Sequence, residues 1–341
     1  MDPKEEAHWL GLLAKAPRVT TMLNTFQAIT EGESGKPVCP VQIDFNLFSN
    51  DHPTLTFAHT LGCLLGTFAR HISASIPYSL EEEARLGASL LSYGTSIAQK
   101  RQRPAKIYTT SSGDGVLTRA LATLSPGMIE TLTCSPNKAN RTEFYNRGAP
   151  PNAYFFLGPY YEVTPSELIR RDMLQFSEGF DVIQEDTTFQ MYHRNRSAQI
   201  ALVSRNLRPG GILLLFEKLM QPSRPDYLLR EQQKDQFKSL HFDSTQIQQK
   251  AETVLTHMEG LQATLGELTG ALQAHFEAAA ITFNSGNFYT IAASDDPGKL
   301  ETFISHMIRP ATPSEFIYHE LPGVLFGPTS LKVAFREPVN N

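Results

Sequence analysis

Cysteine is scarce in this chain, with only Cys39, Cys63 and Cys134 among 341 residues. An odd number with no C-x-x-C spacing excludes a disulfide framework and a cysteine-based zinc site. Long apolar runs are also missing. The longest is about six residues, around Ile212 to Phe216, whereas a membrane span needs about twenty. Basic charge is not in excess: 30 Lys and Arg against 35 Asp and Glu leave a formal net charge of −5. That withholds the general electrostatic pull towards nucleic acid. The ten histidines form no H-x-x-x-H or H-E-x-x-H pair, and no metal site is expected. Neither a G-x-S-x-G elbow nor a G-x-x-x-x-G-K-[ST] loop occurs, which removes the α/β-hydrolase and P-loop readings. The opening MDPKEEAHW is acidic and polar, unlike a signal peptide. A cytoplasmic, reducing setting is the expectation.

What is present is an ordinary globular composition, 41% hydrophobic and 19% charged. The spacing predicts a mainly helical region over 1–105. Thr56 to Ile72 is apolar on a helical period. Ser79 with Glu82 reads as a capping box opening a helix to about Ala98, and Lys100 to Pro104 as a linker. Over 106–295, strand and helix signals alternate. Strands are expected at Ile107–Thr110, Ile129–Cys134, Tyr154–Leu157, Phe180–Gln184 and Gly211–Phe216. Helices are expected at Val116–Leu124, from Thr164 onward, and at Ser197–Asn206. Such alternation implies a parallel sheet covered by helices on both faces.

From Ile247 to Leu272 an apolar stripe recurs at alternating intervals of four and three. A helical hairpin over the sheet is its plain reading and a homodimer seam the sharper one. Ala279–Phe283 and Asn287–Ala293, joined by Ser285-Gly286, read as a β-hairpin. Residues 296–341 form an extension, with a helix near Lys299–Ile308 and strand-like pieces at Glu315–His319 and Leu331–Phe335.

Two motifs carry chemistry. In KIYTTSSGDGVLTRAL a strand ends, Gly113 and Gly115 make a turn, and a helix begins. Glycines allow close approach of a nucleotide-like ligand, and the helix N-terminus offers free N–H groups. A tight strand-to-helix turn accounts for the same residues without a ligand. In NLRPGGILLLFEKL a helix ends, Pro209-Gly210-Gly211 turns, and a buried strand follows. With FDVIQEDTTFQMY one unit earlier, this spacing resembles class I S-adenosylmethionine (SAM) dependent methyltransferases. From Asp181 to Ala293 it is similar to the CmoA-like branch, enzymes acting on the wobble uridine of tRNA. The matching pieces are Asp186 to Gln190 after the fourth strand, Phe216-Glu217-Lys218 after the fifth, Gln236-Phe237-Lys238, Phe242 to Ala251, and Asn287-Phe288.

The resemblance implies a Rossmann-like α/β fold, a mostly parallel seven-stranded sheet whose last strand is antiparallel. It implies SAM, with its product S-adenosylhomocysteine (SAH), held by Ser111, Ser112, Gly113, Gly115, Thr133, Ser135, Asp186 and Thr188. Three acids common in the family are replaced, by Thr109, by Thr133 or Cys134, and by the Gly158-Pro159 turn. Each lost charge-assisted bond is worth about 1–3 kcal/mol. Ala251 stands where carboxy-SAM enzymes place an arginine, so ordinary SAM is expected over carboxy-SAM. Asp186, Tyr192 and His193 are the candidate catalytic residues. The implied function is methyl transfer to a small molecule or biosynthetic intermediate. A repurposed SAM site, leaving a binding or assembly subunit, is the alternative, and tRNA modification is a third.

Overall fold

The computed structural model describes residues 1–33, 36–110 and 113–340. Eight strands form one sheet: β1 (Ala105–Thr110), β2 (Ile129–Ser135), β3 (Ala153–Leu157), β4 (Phe180–Asp186), β5 (Leu207–Lys218), β6 (Ala278–Ser285), β7 (Phe288–Ser294) and β8 (Gly323–Phe326). Their order is β3-β2-β1-β4-β5-β7-β6-β8. The first five run parallel, and β7 inserts antiparallel between β5 and β6. This is the Rossmann-like class I methyltransferase fold, with one strand more than the seven expected. Strand order reverses between β1 and β4, the place where open α/β sheets put their ligands.

Alternation along the strands builds two cores, because successive side chains point to opposite faces. Ile183, Leu213, Leu215, Ile281 and Ile291 face one layer. Val182, Ile212, Leu214, Ala280 and Ala292 face the other. Helices α1 (Pro3–Leu13) and α2 (Leu23–Glu31) pack in the first layer, α3 (His52–Leu64) in the second, and α4 (Thr67–Ser73) bridges towards the strand ends. The long α5 (Ser79–Arg101) crosses α3 where Gly87 meets the Phe57 ring; a Cβ there would overlap it. Next come α6 (Val116–Leu124), α7 (Lys138–Asn146), α8 (Pro165–Arg170), α9 (Arg196–Ser204) and α10 (Arg224–Lys238). After α11 (Ser244–Lys250) the chain takes one π-helical turn, Ala251–Leu255, before α12 (Thr256–Glu259), α13 (Leu265–Gln273) and, after the hairpin, α14 (Pro297–Ile304).

Several boundaries differ from the sequence expectation. The Thr56–Ile72 period breaks at Leu65-Gly66 into α3 and α4. No capping box opens α5: Tyr78 sits there with φ 60°, and Glu82 is taken by Arg85 at 2.7 Å and the Thr290 hydroxyl at 2.9 Å. A buried ion pair outcompetes the local cap. The expected linker is the end of α5, where Arg101 pairs with Asp181. In the extension, Glu315–His319 and Leu331–Phe335 form no strand. Gly323–Phe326 does, pairing antiparallel with β6, and Arg336 straps the extension to Asp51 at 2.6 Å. No described helix is long and apolar enough to cross a membrane.

Candidate active site

The carboxyl ends of β1 and β2 hold the first group of expected residues. Ser111 and Ser112 lie outside the described residues. Gly113 and Gly115 have φ of 59° and 67°, the left-handed region that glycine enters freely. The Phe68 ring lies against Gly113, so that a Cβ at this position would collide with it. Thr133 is buried and its hydroxyl donates to the Thr109 carbonyl at 3.2 Å. Cys134 pairs with the Tyr108 hydroxyl at 3.1 Å. The Ser135 hydroxyl accepts from the Asn137 amide at 3.2 Å and from the Asn140 side chain at 2.9 Å. Thr30 of α2 closes this edge by donating to the Asn140 side-chain oxygen at 2.6 Å. The end of β2 is therefore neutral and bonded internally. Asn137 itself is 1% exposed, and both polar atoms of its amide lack a hydrogen-bond partner among the described residues.

The end of β4 carries the second group. Asp186 is half-buried, and Thr187 follows with φ 48°. A β-branched residue in the left-handed region stores about 1–3 kcal/mol of strain, which persists where the surroundings impose it. Here the Thr187 amide is held by the Phe216 carbonyl at 2.8 Å. Thr188 is buried; its hydroxyl bonds the Thr110 and Asp186 carbonyls at 3.2 and 3.0 Å, tying β4 to β1.

Asp186 lines two adjoining chambers that also share Phe68, Ile72 and Ile76. One has an empty volume of about 600 Å³, open mouth included, with Glu82, Glu83 and Gln184 in its wall. Burial pushes the Glu83 carboxyl well above its ordinary range, and the neighbouring Asp186 and Asp114 charges push further, with Arg119 opposing. Desolvation pushes Asp186 up to about 7. The acids of this chamber thus resist ionising together.

The other chamber, of about 890 Å³ including its mouth, sets a group of basic side chains among apolar ones, with Asp186, Gln190, His71 and Ser75 also in its wall. Lys218 ends β5, Lys234 and Lys238 stand one turn apart on α10, and Lys250 ends α11. Arg18 enters from the segment between α1 and α2. Glu231 is shared between Lys218, at 2.8 Å, and Lys234. Lys250 Nζ meets His71 Nε2 at 2.7 Å and lies 4.1 Å from the Phe242 ring centroid. Burial, with Lys238 and Lys234 repelling, lowers Lys250 to about 6; burial likewise lowers Lys238 to about 8.

Tyr192 and His193 are not brought to Asp186. Tyr192 is 2% exposed and its ring packs edge-on against Tyr160 at 5.0 Å. His193 lines a separate groove with Arg194 and Glu267, and its Nδ1 accepts from the Asn195 amide at 3.0 Å. The short helical turn Phe189–Met191 rotates both residues away from the strand end. Glu217 points inward to Arg196, 2.8 Å away, with both side chains buried. Arg18, His71 and Lys234 had no signal of their own in the sequence. Lys218, Lys238 and Lys250 did, since each lies in a segment matched to the family pattern.

No family profile and no curated protein matches the chain. Solved structures do. TnmH is similar over 63% of this chain, with 13% identity and a TM-score of 0.38, and the chain spans 57% of TnmH. The plantazolicin methyltransferase BamL, solved with a desmethyl analogue and SAH, matches 63% of this chain and 86% of its own, at 12% identity and TM-score 0.43. An O-methyltransferase family protein from Burkholderia thailandensis matches 84% and 72% respectively, at 14% identity and TM-score 0.38. At these values the likenesses carry no conclusion about what the chain does.

Proposed function

We propose that the chain transfers a methyl group from SAM to a small-molecule acceptor. The observation that carries this reading is the position of Asp186, at the strand-order switch, in the wall between an acidic and a basic chamber. The donor set suits the charged end of SAM: a sulfonium and an ammonium call for carboxylates, and the Glu83 and Asp186 carboxyls crowd one another, with Arg119 only partly offsetting the repulsion at Glu83. Gly113, Gly115, Ser135 and Asn137 would take the adenosyl end through neutral bonds, with the unpartnered Asn137 amide able to donate and accept. Thr133 and Thr188 act behind them, fixing β2 and β4 to β1. Ordinary SAM is preferred to carboxy-SAM because Ala251 offers no guanidinium.

SAM, when bound, supplies an electrophilic methyl group. The protein's part is positioning and proton control. Asp186 gives up its proton when a cation shares its chamber, because an opposite charge favours the ionised form. The resulting carboxylate stands at the basic chamber as a general base in the neutral range. The apolar walls exclude water, and holding the two reactants in line contributes most of the acceleration.

A second reading has its own support: Phe68 across Gly113 and the Thr30–Asn140–Ser135 chain cover the adenosyl position, as in a fold kept for binding alone. Calorimetric titration with SAM and SAH separates the two. Micromolar binding, reduced by Asp186→Asn, supports methyl transfer. Silence at millimolar ligand, in the wild type and in Phe68→Ala, refutes it in favour of the binding protein.

A further inference from the structure

We infer that the basic chamber is a binding site for a small organic anion with an apolar body, a carboxylate or a phosphate ester, which on the reading above is the methyl acceptor. Its identification as acceptor rests on that reading; the anion site does not.

Arg18 is the first ground. It is 1% exposed, and its Nη1 has no hydrogen-bond partner among the described residues. Its guanidinium lies 4.7 Å from the centroid of the Phe26 ring, a weak substitute for a carboxylate. A buried charge is tolerated when it is paired, and a guanidinium matches carboxylate and phosphate geometry. The lysines are the second ground. No described carboxylate pairs with Lys250, whose neighbours are a histidine, a hydroxyl and a phenyl ring. Among the described residues Lys238, 2% exposed, reaches only Asp235, at 3.3 Å. Glu231 already serves two lysines. Five basic side chains thus line the chamber, with Glu231 and Asp235 as their carboxylate partners and the Asp186 carboxyl in the wall; Lys250, lowered by burial and by its lysine neighbours, takes up its proton as an anion enters.

The rest of the wall decides the body of the ligand. Phe26, Ile72, Val254, Met258 and Phe288 present apolar surface, which pays nothing to a bare inorganic anion but favours one attached to a hydrocarbon. The π-helical turn Ala251–Leu255 contributes Val254 and Leu255 to this wall. Such turns are rare and concentrate at functional sites.

The test uses the full chain and three eight-carbon probes: octanoate, octyl phosphate and 1-octanol, titrated by calorimetry. The anions should bind at least tenfold more tightly than the alcohol, and the better of the two identifies the head group. Arg18→Met and Lys250→Met should each weaken anion binding tenfold or more and leave octanol unchanged, with Tm unchanged or raised. A merely structural cation would instead lower Tm and leave the affinity alone. Equal binding of octanol and the anions, or wild-type anion affinity in a folded Lys250→Met, overturns the inference. SAM titrated into the same samples keeps the two readings apart. Anion binding without SAM binding sinks the methyltransferase reading only, and SAM binding without anion binding sinks this one only.

Discussion

Replacing Asp186 by Asn should make the protein more stable at pH 8 and less able to bind SAM. The carboxyl is desolvated at the end of β4 and pushed up to about 7 from its ordinary 3.8. At 1.36 kcal/mol per decade of pH, holding the proton that far costs the ionised form about 4 kcal/mol. The side chain is only half-buried and faces a chamber that water enters, so about 2 kcal/mol is the expected effect. The sign follows from proton uptake. Between about pH 4 and 7 the folded state holds a proton that the unfolded chain releases, so this group's stabilisation is full at low pH and is lost as pH rises through 7. Asn carries no such charge. Urea unfolding of both proteins at pH 4, 6 and 8 should show the Asn variant ahead by about 2 kcal/mol at pH 8, with the gap closing towards pH 4. A gap that is constant across pH, or of opposite sign, would refute the desolvation on which the role of Asp186 rests. Greater stability combined with poorer ligand binding is the mark of a residue kept for function.

Other perturbations follow from the same geometry. Thr187→Gly should stabilise the fold by about 1 kcal/mol in denaturant melts, since glycine relieves the left-handed backbone; a loss of stability would show that the methyl and hydroxyl groups matter more than φ. Phe68→Ala uncovers Gly113 and should tighten SAM binding about tenfold by calorimetry while costing about 2 kcal/mol of stability through lost packing; unchanged affinity would mean that the ring does not guard the site. Glu217→Gln strands Arg196 in a place where neither side chain exceeds 1% exposure, and should cost about 3–5 kcal/mol by urea unfolding. Gly87→Ala pushes a methyl group into the Phe57 ring and should cost about 1–3 kcal/mol, read as a fall in Tm.

The alternation of strand and helix signals was enough to read the α/β class and the strand positions, because burial on both faces of a parallel sheet leaves short apolar runs such as Gly211–Phe216, which lies within β5. Local glycine and cap chemistry located the β1–α6 turn, the Thr164 cap and the β6–β7 hairpin, since each depends on residues a few positions apart. Features set by distant partners were not legible. Ser79 and Glu82 carry a capping pattern, yet Glu82 is claimed by Arg85 and by Thr290, a residue 208 positions away. The edge strand Gly323–Phe326 exists because β6 offers it an unpaired side.

The candidate site divides in the same way. Sequence by itself pointed to Gly113 and Gly115, because a strand end followed by a glycine turn is a local pattern that puts residues at the ligand-binding edge of such a sheet, and the resemblance to the methyltransferase pattern added Asp186. It also drew in Tyr192 and His193, neighbours of Asp186 along the chain that one helical turn carries away from the chambers. Only the tertiary structure gathered Arg18, Lys218, Lys238 and Lys250 around one cavity, from four separate elements spread over more than 200 residues. A lysine in a sequence reads as solvent-facing, because its charge is costly to bury. Whether it is buried depends on what the folded chain places around it, and that is decided by packing between elements rather than by the residues beside it.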